Sequence, residues 1–285
     1  MISQEHFTLS SGIEIPKLGL GTWFIDDDKA AEAVREAVKL GYRHFDTAEA
    51  YGNERGVGEG VRSAPVPREE LFVTTKLAAE IKDYDGAVKA IDGSLMKAGL
   101  DYFDLMLIHS PQPWNDFRGG NYTEGNREAW RALEDACKAG KLKAIGVANF
   151  REEDIQSLTD AGMSRPMVNQ ILVHISNTPQ KLIDWCRKEN ILVEGYSPVA
   201  HGEILKNEAI KSMAEKYGVS TAQLCIRYDL QLGTLPLPKT VNPEHMKENM
   251  AVDFEIVEED MDVLRNFEPI KDYGEFTFFP VFSGK

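Results

Sequence analysis

Four side chains able to hold or move a proton recur at one kind of position along the chain. Asp46 ends the apolar run 42–46, Tyr51 follows it by five residues, Lys76 ends the run 71–76 and His109 ends the run 103–109. Each group loses hydration at the end of a buried strand, so stability alone does not ask for four of them there. Gathered in one small volume, they make a proton-transfer device. A tyrosine, with a reference pKa of about 10, is a poor acid at neutral pH; a neighbouring ammonium stabilises the phenolate and lowers that value. In this arrangement Tyr51 is the acid and Lys76 its tuner, Asp46 holds Lys76 charged and oriented, and His109 donates to a developing alkoxide oxygen. A structural Asp46–Lys76 ion pair with Tyr51 packed beside it uses the same residues. The residues by themselves leave both readings open.

A second group lies late in the chain. Lys239 and Thr240 follow the run 234–238, and Asn242, Pro243 and Glu244 read as the cap, first position and first turn of a helix. A lysine beside a helix N-terminus suits an anion such as phosphate, and a capped helix with a solvated lysine would look the same. Tyr196, which closes the run 191–196, offers a flat face on which a ring could stack. Other chemistries fit less well. The six histidines form no metal-binding spacing, so no metal is expected. Paired carboxylates for glycoside hydrolysis need two facing strand ends about 5–9 Å apart. Asp46 alone plainly ends a strand, whereas Glu49, Glu54 and Glu194 do not.

Eight short apolar runs position these groups: 17–20, 42–46, 71–76, 103–109, 143–147, 167–170, 191–196 and 234–238. Amphipathic stretches separate them, at 29–40, 85–98, 127–139, 151–159, 180–189, 208–216 and 221–232, with Gly41, Gly99 and Gly140 at the ends of the first three. Alternation of this kind predicts a parallel sheet covered on both faces, and eight strands close it into a (β/α)8 TIM barrel of the α/β class. A doubly wound fold fails on its fingerprint, since the first turn reads Gly19-Leu-Gly-Thr-Trp rather than a G-x-G-x-x-G loop. A short N-terminal hairpin, 6–9 with 13–15, caps the barrel, and the aromatic tail 268–285 lies beyond it. The whole chain 1–285 reads as one barrel domain, with that tail bordering the substrate pocket.

The bulk properties agree with such a fold. The 285 residues are 42% hydrophobic, enough for a sizeable core, which excludes a disordered chain or a disulfide-stapled miniature. A formal charge of −14 disfavours nucleic acid and anionic membranes as partners. The three cysteines are widely spaced, and the N-terminus has no basic segment leading into an apolar one, so a cytoplasmic location is expected. No interface stripe stands out, and a monomer is expected.

The order of these motifs resembles the aldo-keto reductases, of the small bacterial aldehyde and ketone reductase type. The segment GYRHFDTAEAYGNE at 41–54 is similar to the first signature of that family. Gly99-Leu-Asp-Tyr and Asp104-Leu-Met-Leu-Ile-His follow its second block, and Ala144-Ile-Gly-Val-Ala-Asn-Phe, Asn169-Gln and Tyr196-Ser-Pro its middle. Leu237-Pro-Lys-Thr matches the third signature. The resemblance runs from residue 5 to about 265. It implies NAD(P)H-dependent reduction of aldehydes and ketones, with Tyr51 as general acid in a tetrad with Asp46, Lys76 and His109. It also places Asn149 and Gln170 on the nicotinamide carboxamide and Tyr196 against its ring. Gly21, Thr22, Trp23, Asp46, Ser197 and Val199 fall along the cofactor, and Lys239, Thr240, Val241, Asn242, His245, Glu248 and Asn249 at its adenosine end. Trp23, Tyr51, His109, Trp114, Phe276 and Phe279, with Phe278 in the same tail, would border the substrate, a small to medium, largely uncharged carbonyl compound.

Three departures stand out. Ala148 replaces the serine usual before the carboxamide-binding asparagine, and Ala78 a common tryptophan. His245 stands where many members carry arginine, and an imidazole is a weaker partner for a 2′-phosphate than a guanidinium. NADP(H) is therefore expected to be preferred by a narrower margin, with NAD(H) use possible. A non-catalytic nicotinamide-binding scaffold is the other class considered, and the intact set of four disfavours it.

Overall fold

A computed structural model of the chain describes residues 1–282; the last three residues of the expected tail lie outside the described residues. Its first two strands, β1 (His6–Thr8) and β2 (Glu14–Pro16), form the antiparallel hairpin. The eight that follow are all parallel to their neighbours: β3 (Leu20–Gly21), β4 (His44–Asp46), β5 (Phe72–Leu77), β6 (Phe103–Ile108), β7 (Leu142–Ala148), β8 (Val168–Leu172), β9 (Leu192–Tyr196) and β10 (Leu235–Leu237). The two edges meet. Gly19 N donates to Pro236 O at 3.2 Å and Gly21 N to Pro238 O at 3.0 Å, which closes the barrel. A side chain at Gly19 would sit 2.5 Å from Leu237 Cδ2 and 2.7 Å from His44 Nδ1, so this seam requires glycine.

Ten α-helices lie among the described residues: α1 (Asp27–Leu40), α2 (Glu54–Arg62), α3 (Tyr84–Ala98), α4 (Thr123–Lys138), α5 (Glu152–Thr159), α6 (Gln180–Lys188), α7 (Glu208–Lys216), α8 (Thr221–Gln231), α9 (Pro243–Met250) and α10 (Glu258–Arg265). Gly41 and Gly99 cap α1 and α3 in the left-handed conformation (φ +110° and +62°). The eight expected runs all become barrel strands, but the first shifts. Lys17 belongs to the hairpin side, its N–H on Glu5 O, and the strand proper is Leu20–Gly21.

α2 has no counterpart among the expected helices, and three of its nine residues are glycine, a poor helix former. Tertiary packing explains them. A Cβ on Gly56 or Gly58 would run into the carbonyl oxygens of Asp27 and Ala98, and one on Gly60 would lie 2.6 Å from Val34 Cβ. The glycines let α2 sit directly on α1 and α3, and so fix the loop before it.

Two apolar layers result. The larger lies between strands and helices; the smaller fills the barrel, where Leu9 and Ile15 of the hairpin meet Leu105, Leu107, Val168 and Leu235. The hairpin thus plugs the N-terminal mouth, and polar groups collect at the other end. Among the described residues no helix is long and apolar enough to cross a membrane.

The glycines of this region separate by their surroundings. Gly58→Ala should destabilise the protein by about 2–3 kcal/mol through overpacking. Gly93→Ala, mid-helix in α3 with nothing within 4 Å of the added carbon, should stabilise it by about 0.5–1 kcal/mol. Urea denaturation of both variants checks the contrast.

Candidate active site

The C-terminal ends of the strands surround a cleft of about 590 Å³. At its base Lys76, on β5, has no solvent exposure. Its Nζ donates to Asp46 Oδ1 at 2.6 Å, to Thr47 O at 2.9 Å and to the Tyr51 hydroxyl at 3.2 Å. An ammonium has only donors, so the phenol oxygen accepts and its own proton is free to point elsewhere. Burial would depress the Lys76 pKa, but Asp46 and Tyr51 outweigh it and hold the ammonium above the ordinary lysine value. Burial pushes Tyr51 up, with Lys76 pulling the other way. The ammonium acts in the expected direction, but desolvation wins: the phenol is a weaker acid than free tyrosine, not a stronger one.

His109 is buried beyond Tyr51, the two ring centroids 5.7 Å apart. Burial, then the charges of Lys76 and Lys82, hold its pKa well below the ordinary histidine value, so the imidazole is neutral. Hydrogen-bond accounting explains how the loops carrying these groups are held. Asn53, fully buried, donates from Nδ2 to the carbonyls of Thr22 and Ile25, both at 2.9 Å, and accepts from Thr47 Oγ1 at 2.6 Å. It ties the loop after β3 to the loop bearing Tyr51. Lys82 Nζ donates to Ser110 O at 2.7 Å and to Asn126 Oδ1 at 2.8 Å, anchoring the chain just past His109. Burial lowers the Lys82 pKa to about 7.

The other wall comes from β7 to β9. Asn149 adopts a left-handed φ of +62°, which asparagine tolerates, and places its Nδ2 on His109 O at 3.0 Å. Its Oδ1 accepts from the Tyr196 hydroxyl at 2.8 Å, and its backbone carbonyl from Arg118 Nη2 at 2.8 Å. Gln170 Nε2 donates to Asp46 Oδ2 at 2.9 Å and to Glu194 Oε2 at 2.7 Å. Above them stand aromatic rings. Trp23 stacks over Tyr51 with centroids 6.1 Å apart, Phe279 packs edge-on against Trp23 at 4.9 Å, and Trp114 meets His109 edge-on at 5.1 Å.

Most of the residues expected from sequence share this cleft: Gly21, Thr22, Trp23, Asp46, Tyr51, His109, Trp114, Asn149, Gln170, Tyr196, Ser197, Val199, Lys239, Phe276 and Phe279 all line it. Phe278 does not join them and stays 76% exposed. The late residues form a separate strip beyond Lys239. Asn242 caps α9 by accepting from Glu244 N at 2.9 Å. Thr240 Oγ1 accepts from Asn242 N at 3.0 Å, Val241, His245 and Glu248 are exposed, and Asn249 is buried beside the Tyr42 hydroxyl. Sequence reasoning missed Asn53, Lys82, Arg118 and the cleft-lining role of Phe24 and His201. None sits at a strand end. The one local signal was Asn53, in a polar turn directly behind Tyr51-Gly52.

A parallel eight-stranded barrel with a buried Asp–Lys–Tyr group at the C-terminal mouth defines a class of barrel proteins with one reactive site at the strand ends. Residues 17–268 match the model of the aldo/keto reductase family, and the chain belongs to that family. It is 40% identical to glyoxal reductase of Bacillus subtilis over 261 residues, covering 91% of each chain. A solved aldo/keto reductase from Brucella melitensis is 38% identical and superposes with a TM-score of 0.86, over 93% of this chain and 98% of that one. An aldo-keto reductase from Bombyx mori, solved in complex with NADP, is 33% identical with a TM-score of 0.85, over 98% of each.

Asn53 makes three buried hydrogen bonds with no solvent to replace them. Asn53→Ala should therefore lower stability by about 2–3 kcal/mol, and differential scanning calorimetry reads the loss.

Proposed function

We propose that this protein reduces aldehydes and ketones to alcohols with NAD(P)H, preferring NADP(H), and that Tyr51 supplies the proton. The observation that carries the reading is Lys76 Nζ bridging Asp46 and the Tyr51 hydroxyl at the base of an aromatic cleft. The cleft suits an extended dinucleotide. Tyr196 and the amides of Asn149 and Gln170 lie at one end, and Lys239 leads at the other to the capped N-terminus of α9, whose dipole favours an anion. A bound nicotinamide supplies the hydride for the carbonyl carbon.

The protein's own part is positioning and proton delivery. Tyr51 keeps its proton at neutral pH, and its hydroxyl faces the cleft while its oxygen accepts from Lys76. As that proton moves to the substrate oxygen, the ammonium stabilises the phenolate left behind. Asp46 and the Thr47 carbonyl hold the ammonium in place. Neutral His109 hydrogen-bonds the same substrate oxygen. Of the described lining residues only Lys239 and Asp46 carry charge, so the substrate end selects small uncharged carbonyl compounds by shape, consistent with the glyoxal reductase relative. The unpaired cysteines suit a reducing, cytoplasmic compartment, and the barrel acts as a monomer.

Tyr51→Phe keeps the ring and removes the proton. Reduction of methylglyoxal should fall by at least a factor of about 100, while NADPH still quenches the fluorescence of the protein. Wild-type turnover in this variant would dismiss Tyr51 as the acid. His245 stands exposed on the first turn of α9. Replacing it with arginine should raise the preference for NADPH over NADH by roughly fivefold, because a planar guanidinium makes a stronger charge-assisted hydrogen bond to a phosphate than an imidazole does. Titrations of both nucleotides on both proteins measure it.

A further inference from the structure

Glu194, in the middle of β9, is a carboxyl group at the centre of the molecule that proton delivery does not use. It has no solvent exposure, and its Oε1 has no hydrogen-bond partner among the described residues. Strands of a closed barrel ordinarily fill such positions with apolar side chains, because an incompletely paired carboxyl there costs stability. Among the described residues its one hydrogen bond is with Gln170, whose Nε2 lies 2.7 Å from Glu194 Oε2 and 2.9 Å from Asp46 Oδ2.

A side-chain amide has two N–H groups on nitrogen and two lone pairs on oxygen, and the two ends have nearly the same shape. Which end faces a ligand is decided by what holds the other. Here both N–H groups are taken by carboxyl oxygens on β4 and β9. Turning the amide over would set its oxygen against Asp46, whose other oxygen is committed to Lys76 at 2.6 Å. Gln170 lines the cleft, and the atom left to face it is Oε1, an acceptor. Asp46 alone would hold one N–H and leave the second free to turn. We infer that Glu194 is a positioning residue: with Asp46 it locks the Gln170 amide so that the site demands a hydrogen-bond donor, the amino group of a carboxamide, from the ring bound there. This rests on the nicotinamide reading of the cleft.

The protonation of Glu194 fits the role. Burial, reinforced by the charge of Asp46, raises its pKa to about 8, against the opposing effects of Gln170 and Lys76. At neutral pH the group is an uncharged acid. Its carbonyl oxygen still accepts from Gln170, and Asp46 is spared a second negative charge beside it.

Fluorescence titration with two oxidised dinucleotides tests the lock: NADP+ and its 3-acetylpyridine analogue, in which a methyl group replaces the carboxamide amino group. Wild type should prefer NADP+ by about fivefold or more, because the analogue leaves the Gln170 oxygen without a donor. Glu194→Met, of similar volume with no strong acceptor, should bind the two alike to within about twofold. Glu194→Gln, whose amide oxygen can still accept, should restore the preference. If the methionine variant does not fold, Glu194→Val, suited to a strand, takes the same test. A folded apolar variant that keeps the wild-type preference overturns the inference, as does a wild type that binds both nucleotides equally. A wild type that binds neither nucleotide overturns the nicotinamide reading itself, which separates the two failures.

Discussion

The buried ammonium of Lys76 is the constraint around which the C-terminal end of the barrel is organised. A charged lysine with no solvent exposure is tolerable only with a carboxylate in contact and its remaining donors satisfied. Asp46 Oδ1, Thr47 O and the Tyr51 hydroxyl meet all three needs, and they come from one strand end and the turn after it. Losing one partner from such a pair costs about 3–5 kcal/mol. That penalty fixes the relative positions of β4 and β5 and the loop between them. The tyrosine is held against the ammonium by the same requirement that every donor of the buried ammonium be satisfied.

From this centre hydrogen bonds run outward in both directions. Asp46 passes on to Gln170 and Glu194 across the barrel, and Thr47 passes on to Asn53 and the loop after β3. The helices serve the same end. By running three glycines along α1 and α3, α2 brings the turn behind Tyr51 close to the barrel wall. Farther out, Arg118 ties the long loop after β6 to Asn149 O, and Lys82, from the loop after β5, holds its first turn at Ser110 O, so Trp114 meets His109 on a fixed base.

The barrel separates two kinds of interior. Its lower half, plugged by Leu9 and Ile15 of the hairpin, is apolar. Its upper half holds His44, Lys76, Asp46, Gln170 and Glu194, all buried. His44 marks the boundary: burial lowers its pKa to about 3, and as a neutral ring it pairs with Thr74 Oγ1 at 3.0 Å instead of adding a second charge beneath Lys76. Site electrostatics thus depend on keeping neighbouring titratable groups neutral as much as on the one ion pair.

Much of this was written in the linear chain. Eight apolar runs with helical stretches between them call for a parallel sheet covered on both faces, and the absence of a G-x-G-x-x-G turn after the first run favours the closed barrel over a doubly wound sheet. Asp46, Lys76, His109, Gln170 and Tyr196 stand at strand ends and Tyr51 five residues past the first of them, so these candidates could be named from position in the chain. Tertiary structure alone decided what depends on residues far apart in sequence. The glycines of α2 read as helix breakers until α1 and α3 are seen against them, and Asn53 reads as a turn residue until Thr22 and Ile25 approach it. The pKa of Tyr51 rises where the ammonium alone predicts a fall, because its burial is produced by Trp23 and other elements distant in the chain. Hydrophobic pattern and local spacing act over a few residues and survive in the sequence. Desolvation and close packing are properties of neighbours brought together only by folding.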